Sequence, residues 1–147
     1  MSGEETMLVD GGLAYRLQDQ IGFILRKAHQ RHVAIFASKI GDLTPPQFAA
    51  LAMLAEVGET SQNQLGQLIA MDAATAKGVV DRLASRGFVT VTKDSTDKRR
   101  LLVALTAEGR KAHEKLVPLA TAITHTTLAP LTDRDAAILV RLLAKIA

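Results

Sequence analysis

The part of the sequence that decides the fold is residues 88–106, FVTVTKDSTDKRRLLVALT. Its first five residues alternate in polarity and are rich in β-branched side chains, which is typical of a strand. Residues 101–105 form a second apolar run, and the residues between the two runs are polar and mostly charged. This pattern predicts a β-hairpin with a projecting basic tip.

Apolar residues at helical spacing predict helices on both sides of this hairpin. Before it we expect a long helix over residues 13–40, and a second that begins at a Thr-Pro-Pro-Gln capping signal at 44–47. A short third helix is expected over 62–70, and a fourth, capped by Asp72, over 73–86. After the hairpin, Thr106 caps a fifth helix that runs to about residue 128 with Pro118 inside it, and a last helix spans 136–146. The expected fold is mainly α with a small β-hairpin.

The composition favours one compact chain with an aliphatic core. The chain has 147 residues, of which 48% are hydrophobic and only 3% aromatic. A small helical protein with that much aliphatic surface often hides part of it by forming a dimer. There is no cysteine, which excludes disulfides, thiolate zinc sites and thiol redox sensing. No run is apolar enough for a membrane span, and the first ten residues do not resemble a secretion signal, so we expect a cytoplasmic protein.

Positive charge is concentrated in the middle of the chain. Residues 1–60 carry 5 Lys and Arg against 7 Asp and Glu, whereas residues 61–112 carry 9 against 5. A basic face of this kind is expected where a protein meets phosphate, although a solvated basic surface gives the same count.

A helix, a tight turn, a second helix and then a basic hairpin form a winged helix-turn-helix, and this order indicates DNA binding. The second helix of such a pair fits the major groove of DNA, which makes residues 73–82 the reading segment. The candidate contacts there are Ala73, Ala74, Thr75, Lys77 and Arg82. Taken by itself, this stretch also fits an ordinary alanine-rich surface helix.

The hairpin tip, or wing, supplies the remaining candidate DNA contacts. A guanidinium near the tip, that of Arg99, is suited to the negative potential of the minor groove. Asp97 can hold it in place by a charge-assisted hydrogen bond. Lys93, Lys98 and Arg100 are suited to phosphate. The alternative is a charged tip that only keeps the protein soluble.

The same stretches resemble the MarR family of bacterial transcription regulators. Residues 97–109, DKRRLLVALTAEG, match the family's wing signature of Asp-x-Arg, a strand and Leu-Thr-x-x-Gly. Residues 79–83 (VVDRL) and 86–89 (RGFV) match the recognition helix and its exit, and residues 43–48 (LTPPQF) match the entry to the second helix. The resemblance covers nearly the whole chain.

The resemblance implies a homodimer that reads palindromic double-stranded operator DNA with two recognition helices. It implies a tail and dimerisation helix over residues 1–40, a winged helix-turn-helix lobe over 41–110 and C-terminal dimerisation helices over 111–147. By position, Arg99 would be the minor-groove arginine, Asp97 its support and Thr75 a recognition-helix contact. The family often has Thr or Ser where Lys77 stands and a larger residue, often Arg, where Gly78 stands, so its base preferences are not transferred.

Residues 61–66 and 71–78 resemble a subgroup that controls the breakdown of aromatic acids. This implies a repressor that is released by a small-molecule effector, an aromatic carboxylate or its coenzyme A thioester. Arg26 or a nearby basic group would pair with a carboxylate or phosphate of the effector. The candidate effector contacts are Tyr15, Phe23, Arg26, His29, Phe48 and Leu51. Phe23, Phe48 and Leu51 fit a plain core as well.

Other function classes have less support. His29 and His32 lie three residues apart, but without cysteine or a nearby acidic cluster we expect hydrogen-bonded or solvated imidazoles and no metal or other cofactor. No nucleophile elbow, phosphate loop or zinc-protease motif is found, so an enzyme is not expected. The alternative function is a winged-helix module that binds protein and not DNA.

Overall fold

A computed structural model describes residues 14–147, and within them six α-helices and three short strands follow one another. The helices are α1 (Ile21–Lys39), α2 (Pro45–Val57), α3 (Gln62–Leu68), α4 (Ala73–Ser85), α5 (Ala107–Leu128) and α6 (Asp133–Ile146). The strands are β1 (Thr60–Ser61), β2 (Val89–Lys93) and β3 (Leu101–Leu105). A single 3₁₀ turn, Leu17–Asp19, precedes α1 in the described part.

Side-chain caps fix where five of these helices begin. In each, a hydroxyl or carboxylate oxygen accepts a hydrogen bond from the backbone N–H three residues later, which satisfies a donor that the helix itself leaves free. The caps are Thr44, Ser61, Asp72, Thr106 and Thr132. At the start of α2, the side chain of Gln47 also accepts a hydrogen bond from the backbone N–H of Thr44, which completes a capping box. These local signals explain why most helix starts were predictable.

The hairpin strands β2 and β3 belong to a three-stranded antiparallel sheet with the order β1-β3-β2, in which β3 is central. Val91 pairs with Val103 on one side of β3, and Thr60 pairs with Val103 on the other. Val103 is completely buried, so the middle strand holds the sheet against the helices.

One aliphatic core lies beneath the sheet and the middle helices. Its buried members come from the end of α1, the loop after it, helices α2 to α5 and strands β2 and β3. They are Phe36, Ile40, Leu43, Ala50, Leu51, Leu54, Leu65, Val79, Val80, Leu83, Val89, Val103 and Ile123. The mainly α fold with a β-hairpin wing is therefore confirmed.

The first and last helices contribute much less to this core. No residue of α6 is buried, and several large apolar side chains on α1, α5 and α6 are exposed in the single chain. They include Ile21, Ile24, Leu25, Val117, Leu119, Leu139, Val140, Leu142 and Ile146. No helix of residues 14–147 has the length and apolar content needed to cross a membrane.

Polar contacts join the middle of α1 to the C-terminal end of α5. Arg31 donates from Nη1 to the carbonyl oxygen of Thr127 at 2.7 Å and from Nη2 to that of Thr126 at 2.9 Å. His32 Nδ1 is hydrogen bonded to Thr127 Oγ1 at 2.8 Å. A cation at a helix C-terminus satisfies free carbonyls and opposes the negative end of the helix dipole.

Several predicted boundaries were wrong. Residues 14–20 are not part of the first helix, because Gln20 is extended and α1 begins at Ile21; the predicted start at residue 13 lies outside the described residues. Leu17 is exposed, so packing against the described part of the chain does not enforce a helix there. The last helix begins at Asp133, as its Thr132 cap dictates, and not at residue 136. Strand β2 is shifted one residue towards Lys93, and the short strand β1 was not predicted.

Candidate nucleic-acid interface

Helices α3 and α4 pack closely enough to form a helix-turn-helix. A Cβ atom added to Gly66 would lie 3.0 Å from the Cβ of Ala76 and 3.3 Å from the carbonyl oxygen of Met71. The turn itself passes through Ala70, whose φ of 58° is left-handed, and the N–H of Met71 donates to the carbonyl of Gly66 at 2.8 Å. Gly66 therefore sets the distance between the two helices.

The start of α4 is fixed by Asp72. Its Oδ1 accepts from the N–H of Thr75 at 2.7 Å. Hydrogen bonds from the backbone and side chain of Thr75 hold the pKa of the Asp72 carboxyl below its usual value. The cap remains ionised at neutral pH and matches the positive end of the helix dipole.

One face of α4 is buried and the other is open. Ala76, Val79, Val80 and Leu83 face the core. The predicted contacts on this helix are all exposed; they are Ala73, Ala74, Thr75, Lys77 and Arg82. Lys77 donates from Nζ to Oδ2 of Asp81 at 2.7 Å. The open face therefore combines small side chains with one ion pair and the Arg82 guanidinium.

The wing is organised by two aspartates. Asp94, only 8% exposed, accepts from the N–H of Thr96 at 2.9 Å, from its hydroxyl at 2.8 Å and from Nη1 of Arg100 at 3.3 Å. The hydrogen bonds from Thr96 are the largest cause of a lowered pKa at Asp94. The N–H of Asp94 donates to the carbonyl of Arg100 at 2.9 Å and closes the hairpin above its strands. Asp94 thus fixes the base of the tip.

Asp97 orders the wing nearer its tip through hydrogen bonds with Arg99. Its Oδ1 accepts from the backbone N–H of Arg99 at 3.1 Å and from Nε of the same residue at 3.3 Å. The Arg99 side chain is otherwise 93% exposed. It projects from an ordered turn, and its remaining donors are available to a partner. Lys93 and Lys98 are also exposed, whereas Arg100 is engaged by Asp94.

Three residues of this region were not singled out from the sequence: Asp81, Arg86 and Asp94. The spacing of Asp94 and Thr96 is a recognised turn signal and could have identified Asp94. The partners of Arg86 include one far away in sequence, since its guanidinium binds Asp42 and covers the ring of Phe88 at 4.8 Å from the centroid. The contact with Asp42 is not visible without the fold.

The base of the wing is joined tightly to α5. The Thr106 hydroxyl donates to the carbonyl of Gly87 at 2.6 Å, and its N–H donates to the carbonyl of Phe88 at 3.0 Å. A Cβ atom on Gly109 would overlap the same Phe88 carbonyl oxygen. The start of α5 is therefore held directly against the base of the wing.

The six candidate effector contacts do not form one group in the single chain. Phe23 and Arg26 are together, with the guanidinium 5.8 Å from the ring centroid, while Tyr15 and His29 are exposed. Phe48 packs against the core, where its ring lies 6.4 Å from that of His113. Leu51 is completely buried in the core. Their role in effector binding stays a prediction.

A surface cleft of about 630 Å³ lies where the first half of α5 meets the loop before α2 and the start of β2. This volume is within the usual range for small-molecule sites. Its lining combines apolar side chains with two lysines and three carboxylates: Asp42, Leu43, Phe88, Glu108, Lys111, Ala112, Glu114, Lys115 and Leu116. None of the six predicted effector contacts is among them.

Comparisons with known proteins agree on one family. The sequence pattern of the MarR family matches residues 43–101. The HTH-type transcriptional repressor NicR of Pseudomonas putida is 36% identical over 133 residues, which is 89% of this chain and 84% of NicR.

Two solved structures show the same fold. A probable transcriptional regulator from Pseudomonas aeruginosa is 52% identical with a TM-score of 0.87, over 90% of this chain and 100% of that one. BpsR of Bordetella bronchiseptica, whose DNA binding is regulated by 6-hydroxynicotinic acid, is 39% identical with a TM-score of 0.87, over 91% of this chain and 97% of its own.

Proposed function

This chain belongs to the MarR family of transcriptional regulators, and from that premise we propose that it is a homodimeric repressor released from its operator by a small aromatic acid. It is a DNA-binding regulator and not an enzyme. The observation that carries the DNA-binding part is Arg99, an almost fully exposed guanidinium at the end of an ordered hairpin. A protein that binds operators must be in the same compartment as the bacterial chromosome, so the proposal includes a cytoplasmic location.

The proposed DNA interface consists of α4 and the wing. The small side chains of Ala73, Ala74 and Thr75 allow α4 to approach the floor of the major groove. Lys77 and Arg82 on the same helix supply positive charge. Arg99 enters the minor groove, and Lys93 and Lys98 bind phosphate. Asp97 orients Arg99, and Arg100 acts with Asp94 in shaping the wing. Within the chain, residues 41–110 form the DNA-binding lobe.

The dimer is proposed to form through the two ends of the chain, residues 1–40 and 111–147. MarR-type regulators bind operator DNA as dimers. The apolar side chains that α1, α5 and α6 expose in the single chain supply the surface that such an interface buries. The protein-interaction alternative is not favoured, because it gives no role to the exposed wing arginine.

We place the effector in the cleft lined by Lys111 and Lys115. Leu43, Phe88 and Leu116 of the lining suit an aromatic ring, and the ammonium of Lys115, in a lining that also holds three carboxylates, suits the carboxylate of the acid. BpsR responds to 6-hydroxynicotinic acid, which is a free heteroaromatic acid, and this favours an acid over a coenzyme A thioester. The Phe23–Arg26 pair is the second candidate position.

The test is a thermal-shift screen of hydroxylated benzoic and nicotinic acids and their coenzyme A thioesters, followed by operator release measured by fluorescence anisotropy. We expect a free acid to raise the melting temperature of the protein and to lower its DNA affinity. Lys115→Ala should weaken binding of the acid, whereas Arg26→Ala and the control Lys145→Ala should leave this binding unchanged. An acid that stabilises the protein without releasing DNA would contradict the proposal.

A further inference from the structure

The open face of α4 carries a carboxylate where a polyanion is expected to bind. Helical periodicity places Asp81 within about 60° of Ala74 and Gly78 and opposite the buried stripe. Its side chain is 59% exposed. A negative charge at this place opposes non-specific attraction to phosphate, so its presence calls for a more specific explanation.

Helix stability does not explain why Asp81 stands on the open face of α4. Among residues 14–147, Asp81 is paired only with Lys77, which lies on its N-terminal side, and this order of charges is the weaker one for a helix. Both partners are more than half exposed, and exposed pairs contribute little to folding. Gly78 lies between them in sequence, and a methyl group added there would meet no atom of residues 14–147 within 4 Å. No side chain at that position separates the pair from an approaching ligand.

The pair presents a donor and an acceptor side by side. Lys77 Nζ and Asp81 Oδ2 are 2.7 Å apart, the distance of a hydrogen bond. The major-groove edge of a G·C pair presents the O6 acceptor of guanine and the N4 amino donor of cytosine, which are also one hydrogen bond apart. The two edges are complementary in both spacing and polarity.

We propose that Lys77 and Asp81 together read one G·C base pair in each operator half-site. Lys77 donates to O6 and N7 of guanine, and Asp81 accepts from the N4 amino group of cytosine. An A·T pair also places a donor beside an acceptor, but thymine has one acceptor where guanine has two, and its methyl group hinders the ammonium. This inference rests on the proposed function, because it requires α4 to lie in the major groove.

The experiment is a selection of duplexes from a random pool by the full chain and by its Asp81→Ala and Lys77→Ala variants. The wild-type protein is expected to select G·C at one symmetric position in each half-site. Replacing that pair by A·T should weaken wild-type binding about 5- to 150-fold. Asp81→Ala should lose the preference at that position alone, and circular dichroism should show an unchanged helix content.

The matched control is Lys98→Ala in the wing. This variant should bind all duplexes more weakly by the same factor, and its binding should depend less on salt. The inference is overturned if Asp81→Ala binds every duplex more tightly with an unchanged base profile, since Asp81 is then only a repulsive charge. It is also overturned if Lys77→Ala behaves like Lys98→Ala. If the wild-type chain selects no sequence at all, the proposed function fails and not this assignment alone.

Discussion

Arg86 donates from Nη1 to the main-chain carbonyl oxygen of Asp42 at 2.6 Å, and its Nη2 lies 3.2 Å from the carboxylate of the same residue. Arg86 directly follows the recognition helix, and Asp42 lies in the loop between α1 and α2 and lines the cleft. The guanidinium also covers Phe88, which lines the cleft as well. One side chain therefore joins the proposed effector site to the end of the reading helix.

This contact predicts that Arg86→Ala uncouples effector binding from DNA release. The acid should still raise the melting temperature, but the drop in operator affinity that it causes should shrink by about 5-fold or more, within the usual range of allosteric coupling. Arg86→Lys keeps the charge but not the two-pronged contact, and it should be intermediate. The measurement is operator affinity by anisotropy with and without the acid. An unchanged ratio in Arg86→Ala would show that the signal takes another route.

The wing should lose stability in acid because of Asp94. Its pKa is lowered in the folded protein by the hydrogen bonds from Thr96, so its contribution is complete above the ordinary aspartate pKa and is lost as the pH falls through the lowered one. Asp94→Asn should melt at a lower temperature than wild type near neutral pH. The two melting temperatures, followed by circular dichroism from neutral pH into strong acid, should converge at the acid end. Parallel curves would contradict the assignment.

Two glycine substitutions should have opposite effects on folding. Gly109→Ala places a methyl group against the carbonyl oxygen of Phe88 and should destabilise the protein by about 1–3 kcal/mol, as overpacking does. In Gly78→Ala the added methyl group meets no atom of the described residues within 4 Å, and the variant should be more stable by about 1 kcal/mol, because alanine is the better helix former. Urea unfolding of both variants measures the difference. Equal stabilities would contradict the close contact between α5 and the wing.

The exposed apolar side of α6 predicts how the dimer can be broken. Leu142, which is 47% exposed in the single chain, should be buried in the dimer, so Leu142→Asp should yield monomers by sedimentation velocity. Loss of the second half-site contact should then weaken operator binding by about 100-fold or more. Ala137→Asp makes the same charge change on the side of the helix that carries Arg134 and Arg141 and should leave a dimer. A dimeric Leu142→Asp would place the interface elsewhere.

What the sequence predicted correctly was mostly local. Each of Thr44, Ser61, Asp72, Thr106 and Thr132 caps a helix through a bond to a residue three positions away, and such signals are complete in a short window. The switch from helical to alternating periodicity likewise located the hairpin. The exposure of Arg99 and its contact with Asp97 agree with the predicted arrangement of the wing.

The missed features depend on parts of the chain that are distant in sequence. Strand β1 consists of two residues and exists because Thr60 pairs with Val103. The cleft forms only where α5 meets the loop before α2, and Arg86 finds Asp42 across 44 positions. Leu51 was named both as a candidate effector contact and as a plain core residue, and only the three-dimensional packing places it in the core. Periodicity identifies the buried side of a helix but does not identify what covers it.

The most direct test of DNA recognition by the wing is the affinity of Arg99→Ala for the operator selected by the wild-type chain, measured by anisotropy at a fixed salt concentration. Because Arg99 is 93% exposed, the variant should fold and dimerise normally, and it should bind about 5- to 150-fold more weakly. The control Arg134→Ala, an exposed arginine on α6, should bind as wild type does. Equal affinities of Arg99→Ala and wild type would contradict the claim that the wing grips DNA.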